Sequence, residues 1–172
     1  MMTKKEKSEL VKLVAHRNEH LKGSRSWDIM EYMITLLQGD YMAVEKLSYI
    51  VKPMRRGDVV ICYYPNNDEY TCVKRIIGLE GDTITIQNGV VSINGVQLQE
   101  AYVTTGLTSR HDGTYVVEEG CVFVMGDNRL VSRDSTDGMV GSIPAKRVIG
   151  RVNRVLLPVS RAKKLNRIEY GI

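Results

Sequence analysis

Between residues 126 and 134 the chain gathers groups that can do chemistry. An apolar run, 122–125, stops at Gly126, and Asp127, Arg129, Ser132 and Asp134 follow within eight residues. Glycine lacks a Cβ, so the backbone there can turn sharply or let another element come close. Two carboxylates, a guanidinium and a hydroxyl so spaced fit two readings: a charged turn after a strand, or a loop that supports a site. A second group stands far away in sequence. Two β-rich arms, within 61–73, flank a polar turn, and a hairpin centred on Asn67 sets Cys62 opposite Cys72 and Lys74 opposite Val60. Lys74 then shares a sheet face with both cysteines. Apolar surroundings disfavour an ammonium and favour the neutral amine, the form that serves as a general base. The alternative is a lysine whose amine reaches solvent at a sheet edge. The opposed cysteines fit either a cross-strand disulfide or two buried free thiols.

Holding these groups together takes a β scaffold. A chain of 172 residues, 43% hydrophobic, fits one domain with short tails. Val, Ile and Tyr dominate the apolar residues of its middle, which favours strands. Gly-Asp pairs at 39–40, 57–58 and 81–82 mark turns before candidate strands at 41–47, 59–64 and 83–87. Asn88-Gly89 and Asn94-Gly95 are tight-turn signals around a strand at 90–93. Further strands are expected at 122–125 and 148–156, with a polar excursion from the sheet at 101–119. Residues 3–22 read as an amphipathic helix, with Leu10, Leu13, Val14 and Leu21 on one side and Lys and Glu on the other. Residues 27–37 read as a second short helix or an irregular lead-in. The predicted architecture is mainly β, with short helices and an N-terminal amphipathic helix. Its parts are a helical lead-in over 1–35, a β domain over 36–157 and a basic tail over 158–172.

The net charge of +4 hides an asymmetry. Residues 1–25 hold seven Lys/Arg against three acids, and 144–172 hold eight against one, so the body between them is acidic. An acidic body argues against nucleic acid, while the basic N-terminal helix is a candidate for a membrane surface. No run of about 18 apolar residues or secretory signal is found, so no transmembrane anchor is expected within this sequence. Three cysteines without a C-x-x-C give no zinc site. His16, Glu19 and His20 match H-x-x-E-H, but the helix is strongly charged and only His111 remains as a third ligand, so neither metal nor cofactor is expected.

Three motifs occur in order: Arg56-Gly57-Asp58-Val59-Val60, then Val73-Lys74-Arg75-Ile76-Ile77-Gly78-Leu79-Glu80-Gly81-Asp82, then Gly126-Asp127-Asn128-Arg129 with Ser132, Asp134 and Ser135. Together with Ile93-Asn94-Gly95 and Gly141-Ser142-Ile143-Pro144, they resemble the type I signal peptidase family over roughly 36–155. The resemblance implies a β-rich fold and a serine/lysine dyad that removes signal peptides from exported preproteins at the outer face of the cytoplasmic membrane. It implies Lys74 as the general base, Ser132 as the hydroxyl that orients it, and Asp127, Arg129 and Asp134 as charged groups that hold the loop beneath.

The sequence departs from that family in two places that bear on activity. The family's nucleophile lies in Ser-Met-x-Pro-Thr-Leu-x-x-Gly-Asp, and here Thr35-Leu36-Leu37-Gln38-Gly39-Asp40 places Glu31 at the serine; realigning on Met30 places Ile29 there. Ser24 and Ser26 serve only if the lead-in loops back. A Glu31 carboxylate facing Lys74 would hold it as an ammonium. The family's Asp-Ser-Arg reads Asp134-Ser135-Thr136, without the arginine. Three functions follow as alternatives: a signal-peptidase-type endopeptidase, a catalytically inactive relative that binds peptides or assists assembly, and a self-cleaving regulator of the related repressor type.

Overall fold

The computed structural model describes residues 33–36, 40–45, 52–65, 67–103, 111–129, 132–157 and 162–172. The expected helix over 3–22, the H-x-x-E-H pattern, and Ser24, Ser26, Ile29 and Glu31 lie outside these residues. Within them the regular structure is twelve strands and one 3-10 turn, Ala145–Arg147. The strands are β1 Met33–Leu36, β2 Asp40–Glu45, β3 Val59–Tyr64, β4 Asn67–Leu79, β5 Thr83–Gln87 and β6 Val90–Ile93. They continue with β7 Val96–Gln97, β8 Gly113–Val116, β9 Cys121–Met125, β10 Ile143–Pro144, β11 Val148–Leu157 and β12 Lys163–Lys164.

The fold is mainly β, as its sequence predicts. One sheet runs β1-β2-β11-β3-β4-β9-β10, with β12 added to β11, and a second runs β7-β6-β5-β8. The hairpin register is the expected one: Cys62 opposes Cys72 and Lys74 opposes Val60. Asn88 and Asn94 take φ of 51° and 50° in the two tight turns. Two expectations fail. Residues 33–36 form a strand instead of part of a short helix or irregular lead-in, because they pair antiparallel with β2 from Met33↔Ala43 to Leu36↔Asp40. The excursion over 101–119 returns to the second sheet as β8, with Tyr115 opposite Ile84. That strand is short and its Val116 side chain is 66% exposed, so it carries little apolar signal of its own.

Period-two alternation divides the core. On β4 and β9, Ile77, Phe123 and Met125 face the second sheet and pack with Ile84, Ile86, Val91 and Ile93. Gly78 marks how close the sheets come, since a Cβ there would lie 2.7 Å from Ile84 Cδ1. The opposite face of the same strands carries Cys72, Ile76, Val122 and Val124, which join Val60, Cys62, Val140 and Ile143. Val44, Ile61 and Val152 close a third cluster across β2, β3 and β11. Residues 162–172 run back along the body. Leu165 N–H donates to Asn153 O at 2.8 Å, and Tyr170 packs on the first cluster.

Phe123 is 1% exposed and joins both sheets. Phe123→Ala is expected to cost about 3–5 kcal/mol in denaturant unfolding, for lost transfer energy and the cavity left behind. Val116→Ala, at an exposed position, should stay within about 0.5 kcal/mol.

Candidate functional site

Lys74 owes its position to strand register. Arg75 pairs with Met125 across β4 and β9, so the next pair outward in this antiparallel ladder sets Lys74 against Gly126. Lys74 is 8% exposed. Its Nζ donates to Ser132 Oγ at 2.7 Å. The missing side chain of Gly126 makes that meeting feasible. A Cβ at 126 would sit 2.2 Å from Ser132 Oγ, 2.5 Å from Ser132 Cβ and 3.6 Å from Lys74 Nζ.

Among the described residues, buried polar groups hold the loop that presents Ser132. Gly126 N–H donates to Asp134 Oδ2 at 2.9 Å, and Thr136 donates to Asp134 Oδ1 through its hydroxyl at 2.8 Å and its N–H at 3.2 Å. Val124 N–H donates to Ser135 Oγ at 3.0 Å, and Ser135 N–H returns to Val124 O at 3.0 Å. Ser132 N–H donates to Asn128 O at 3.1 Å. Thr136 therefore supplies to Asp134 a hydroxyl and an N–H where the resembled pattern has an arginine.

Arg75 points to the other face of β4 and grips the loop from behind. Its Nε and Nη2 donate to the two oxygens of Asp127 at 2.9 and 2.6 Å, and its Nη1 donates to Gly57 O at 2.9 Å. Burial opposes the Arg75 charge, but the bonds and charge of Asp127 outweigh it, and the guanidinium pKa lies above its ordinary value. The Tyr102 ring lies 4.3 Å from the Arg75 guanidinium carbon. The Tyr102 hydroxyl bonds Glu100 Oε1 at 2.6 Å and the Tyr170 hydroxyl at 2.7 Å. Glu100 also pairs with Arg129, both side chains being almost wholly buried, and Arg129 Nε donates to Gly126 O at 3.0 Å. Burial first, then the Glu100 and Tyr170 groups, push the Tyr102 phenol up. Burial pushes Tyr170 to about 12, although its bond with Tyr102 pulls the other way.

The structure thus brings together Lys74, Ser132, Asp127, Arg129 and Asp134, all singled out in the sequence, while Glu31 lies outside the described residues. It adds Arg75, Glu100, Tyr102 and Thr136. Arg75 sat inside a quoted motif, and strand alternation would have turned it away from Lys74. Glu100 had no local signal, because its partner Arg129 is 29 residues further on. Among the described residues no group of three or more His, Cys, Asp or Glu could hold a metal. Chemically, a buried amine bonded to one hydroxyl can, in its neutral form, accept a proton from a second hydroxyl brought within reach.

Comparison with known proteins gives one consistent result. The family model described as signal peptidase, peptidase S26, matches residues 24–157. The signal peptidase I of Bacillus licheniformis is 38% identical over 141 residues, 76% of this chain and 74% of that protein. The signal peptidase I of Bacillus caldolyticus is 36% identical over 134 residues, 70% of this chain and 71% of the relative. Among solved structures, the crystal structure of a signal peptidase I from Enterococcus faecalis V583 superposes with a TM-score of 0.52 at 31% identity, covering 58% of this chain and 97% of that one.

Arg129→Ala leaves the buried Glu100 carboxylate without its cation, and is expected to destabilise the fold by about 3–5 kcal/mol in denaturant unfolding. Adding Glu100→Gln to that variant should recover part of the loss, since the stranded charge is then gone.

Proposed function

This chain belongs to the type I signal peptidase family, and we propose that it removes signal peptides from exported preproteins, with Lys74 as the general base. The observation that carries this reading is the 2.7 Å bond between Lys74 Nζ and Ser132 Oγ inside a nearly closed setting. In the proposed step a neutral Lys74 amine takes the proton of a serine hydroxyl as that oxygen attacks the scissile carbonyl. The lysine then passes the proton to the leaving amine, and water releases the acyl group. Ser132 keeps the amine aimed, and Asp127, Arg129 and Asp134 hold the loop on which Ser132 rides.

The family is membrane-associated, and no helix among the described residues is long and apolar enough to cross a membrane. We place the domain at the outer face of the cytoplasmic membrane, with the basic residues of 1–25 against anionic lipid. Glu31 at the aligned nucleophile position favours one second reading, a relative that binds peptides without cutting them. The two separate on a preprotein substrate. Cleavage by the unaltered protein that falls on the order of a thousandfold or more in Lys74→Ala supports the peptidase. No cleavage by the unaltered protein, with cleavage gained in Glu31→Ser, assigns it to the non-cutting relative.

A further inference from the structure

Two residues from Lys74 on the same strand face lies a pair of thiols that the peptidase reading leaves unused. Cys62 and Cys72 are opposed in the β3–β4 ladder, and their Sγ atoms are 3.5 Å apart. Both thiols are free, and both sit in the cluster that also holds Val60 and Ile76. Directly opposed residues in an antiparallel pair have Cα atoms about 4.5–5.5 Å apart, inside the range that a disulfide spans. Closing the bond therefore takes a side-chain adjustment of roughly 1.5 Å and no shift of register.

We propose that Cys62 and Cys72 form a redox-active dithiol, converted to a cross-strand disulfide by exchange with a small disulfide such as oxidised glutathione. The two thiols differ in the way exchange requires. Cys62 is fully enclosed, whereas Cys72 is 8% exposed and is the sulfur an oxidant meets first. The shared bond from Cys62 lowers the Cys72 thiol pKa against the effect of burial. The same bond, with burial, raises Cys62. Cys72 as thiolate attacks one sulfur of the oxidant, forming a mixed disulfide and releasing the first thiolate, which takes up a proton. Cys62 then loses its proton and attacks Cys72 Sγ, which breaks the mixed disulfide and releases the second thiol. The oxidant gains two electrons and two protons, and the dithiol loses them. The product ties β3 to β4 beside Lys74.

The test needs the unaltered protein and no cleavage assay, so it is independent of the peptidase reading. The folded protein is equilibrated with oxidised glutathione, quenched in acid, unfolded and alkylated, then digested and read by mass spectrometry. The expected result is a peptide linked through Cys62 and Cys72, with Cys121 still alkylated and the link lost after reduction. Cys62→Ala should lose the link and retain a glutathione adduct on Cys72. Alkylation of all three cysteines after oxidant, or modification confined to Cys121, overturns the proposal.

Discussion

One register decides the rest of the molecule: Arg75 against Met125 in the β4–β9 ladder. It sets the side chain of Lys74 beside a residue that has none, and the vacant volume at Gly126 is where the amine and the Ser132 hydroxyl meet. It also turns Arg75, the next residue, to the opposite face, where it grips Asp127 and Gly57. Adjacent basic residues on one strand are thus kept apart by the pleat. One faces the site, and the other anchors the loop that completes it.

The anchoring uses groups that are costly to bury alone. Arg129 and Glu100 are both almost fully enclosed, and their pairing earns its place through geometry, since a buried ion pair adds little net stability over apolar residues. What it fixes is the Gly126 carbonyl and, through Glu100 and Tyr102, the ring that covers Arg75. Asp134 shows a cheaper arrangement. Its carboxylate is satisfied by the Gly126 N–H and by Thr136, with no cation needed. The threonine at 136 therefore alters the chemistry of the loop without emptying it of partners.

Much of this was legible before the structure. The pairing of Cys62 with Cys72, the facing of Lys74 and the clustering of polar groups after Gly126 rest on local turn chemistry and period-two alternation. The turn itself is not centred on Asn67, which pairs with Tyr64 after a register shift. Residues 33–36 and 113–116 were misread because each is a short strand held by its partner, β2 or β5, rather than by its own pattern. Glu100, Tyr102 and Tyr170 were invisible for a related reason. Their contacts join segments 29 and 68 residues apart, and nothing in the sequence near them encodes the partner. Arg75 was readable in principle, since alternation alone directs it away from Lys74.

The separation of 58 positions between Lys74 and Ser132 carries a temporal consequence. Their meeting requires the β4–β9 ladder to close across the whole of the second sheet, and contacts of such long sequence separation form slowly because loop entropy must be overcome first. A growing polypeptide that has emerged only through β8 holds the lysine but not the hydroxyl. Assembly of the amine and its partner is thereby tied to synthesis of the loop after β9, and an immature chain carries half a site.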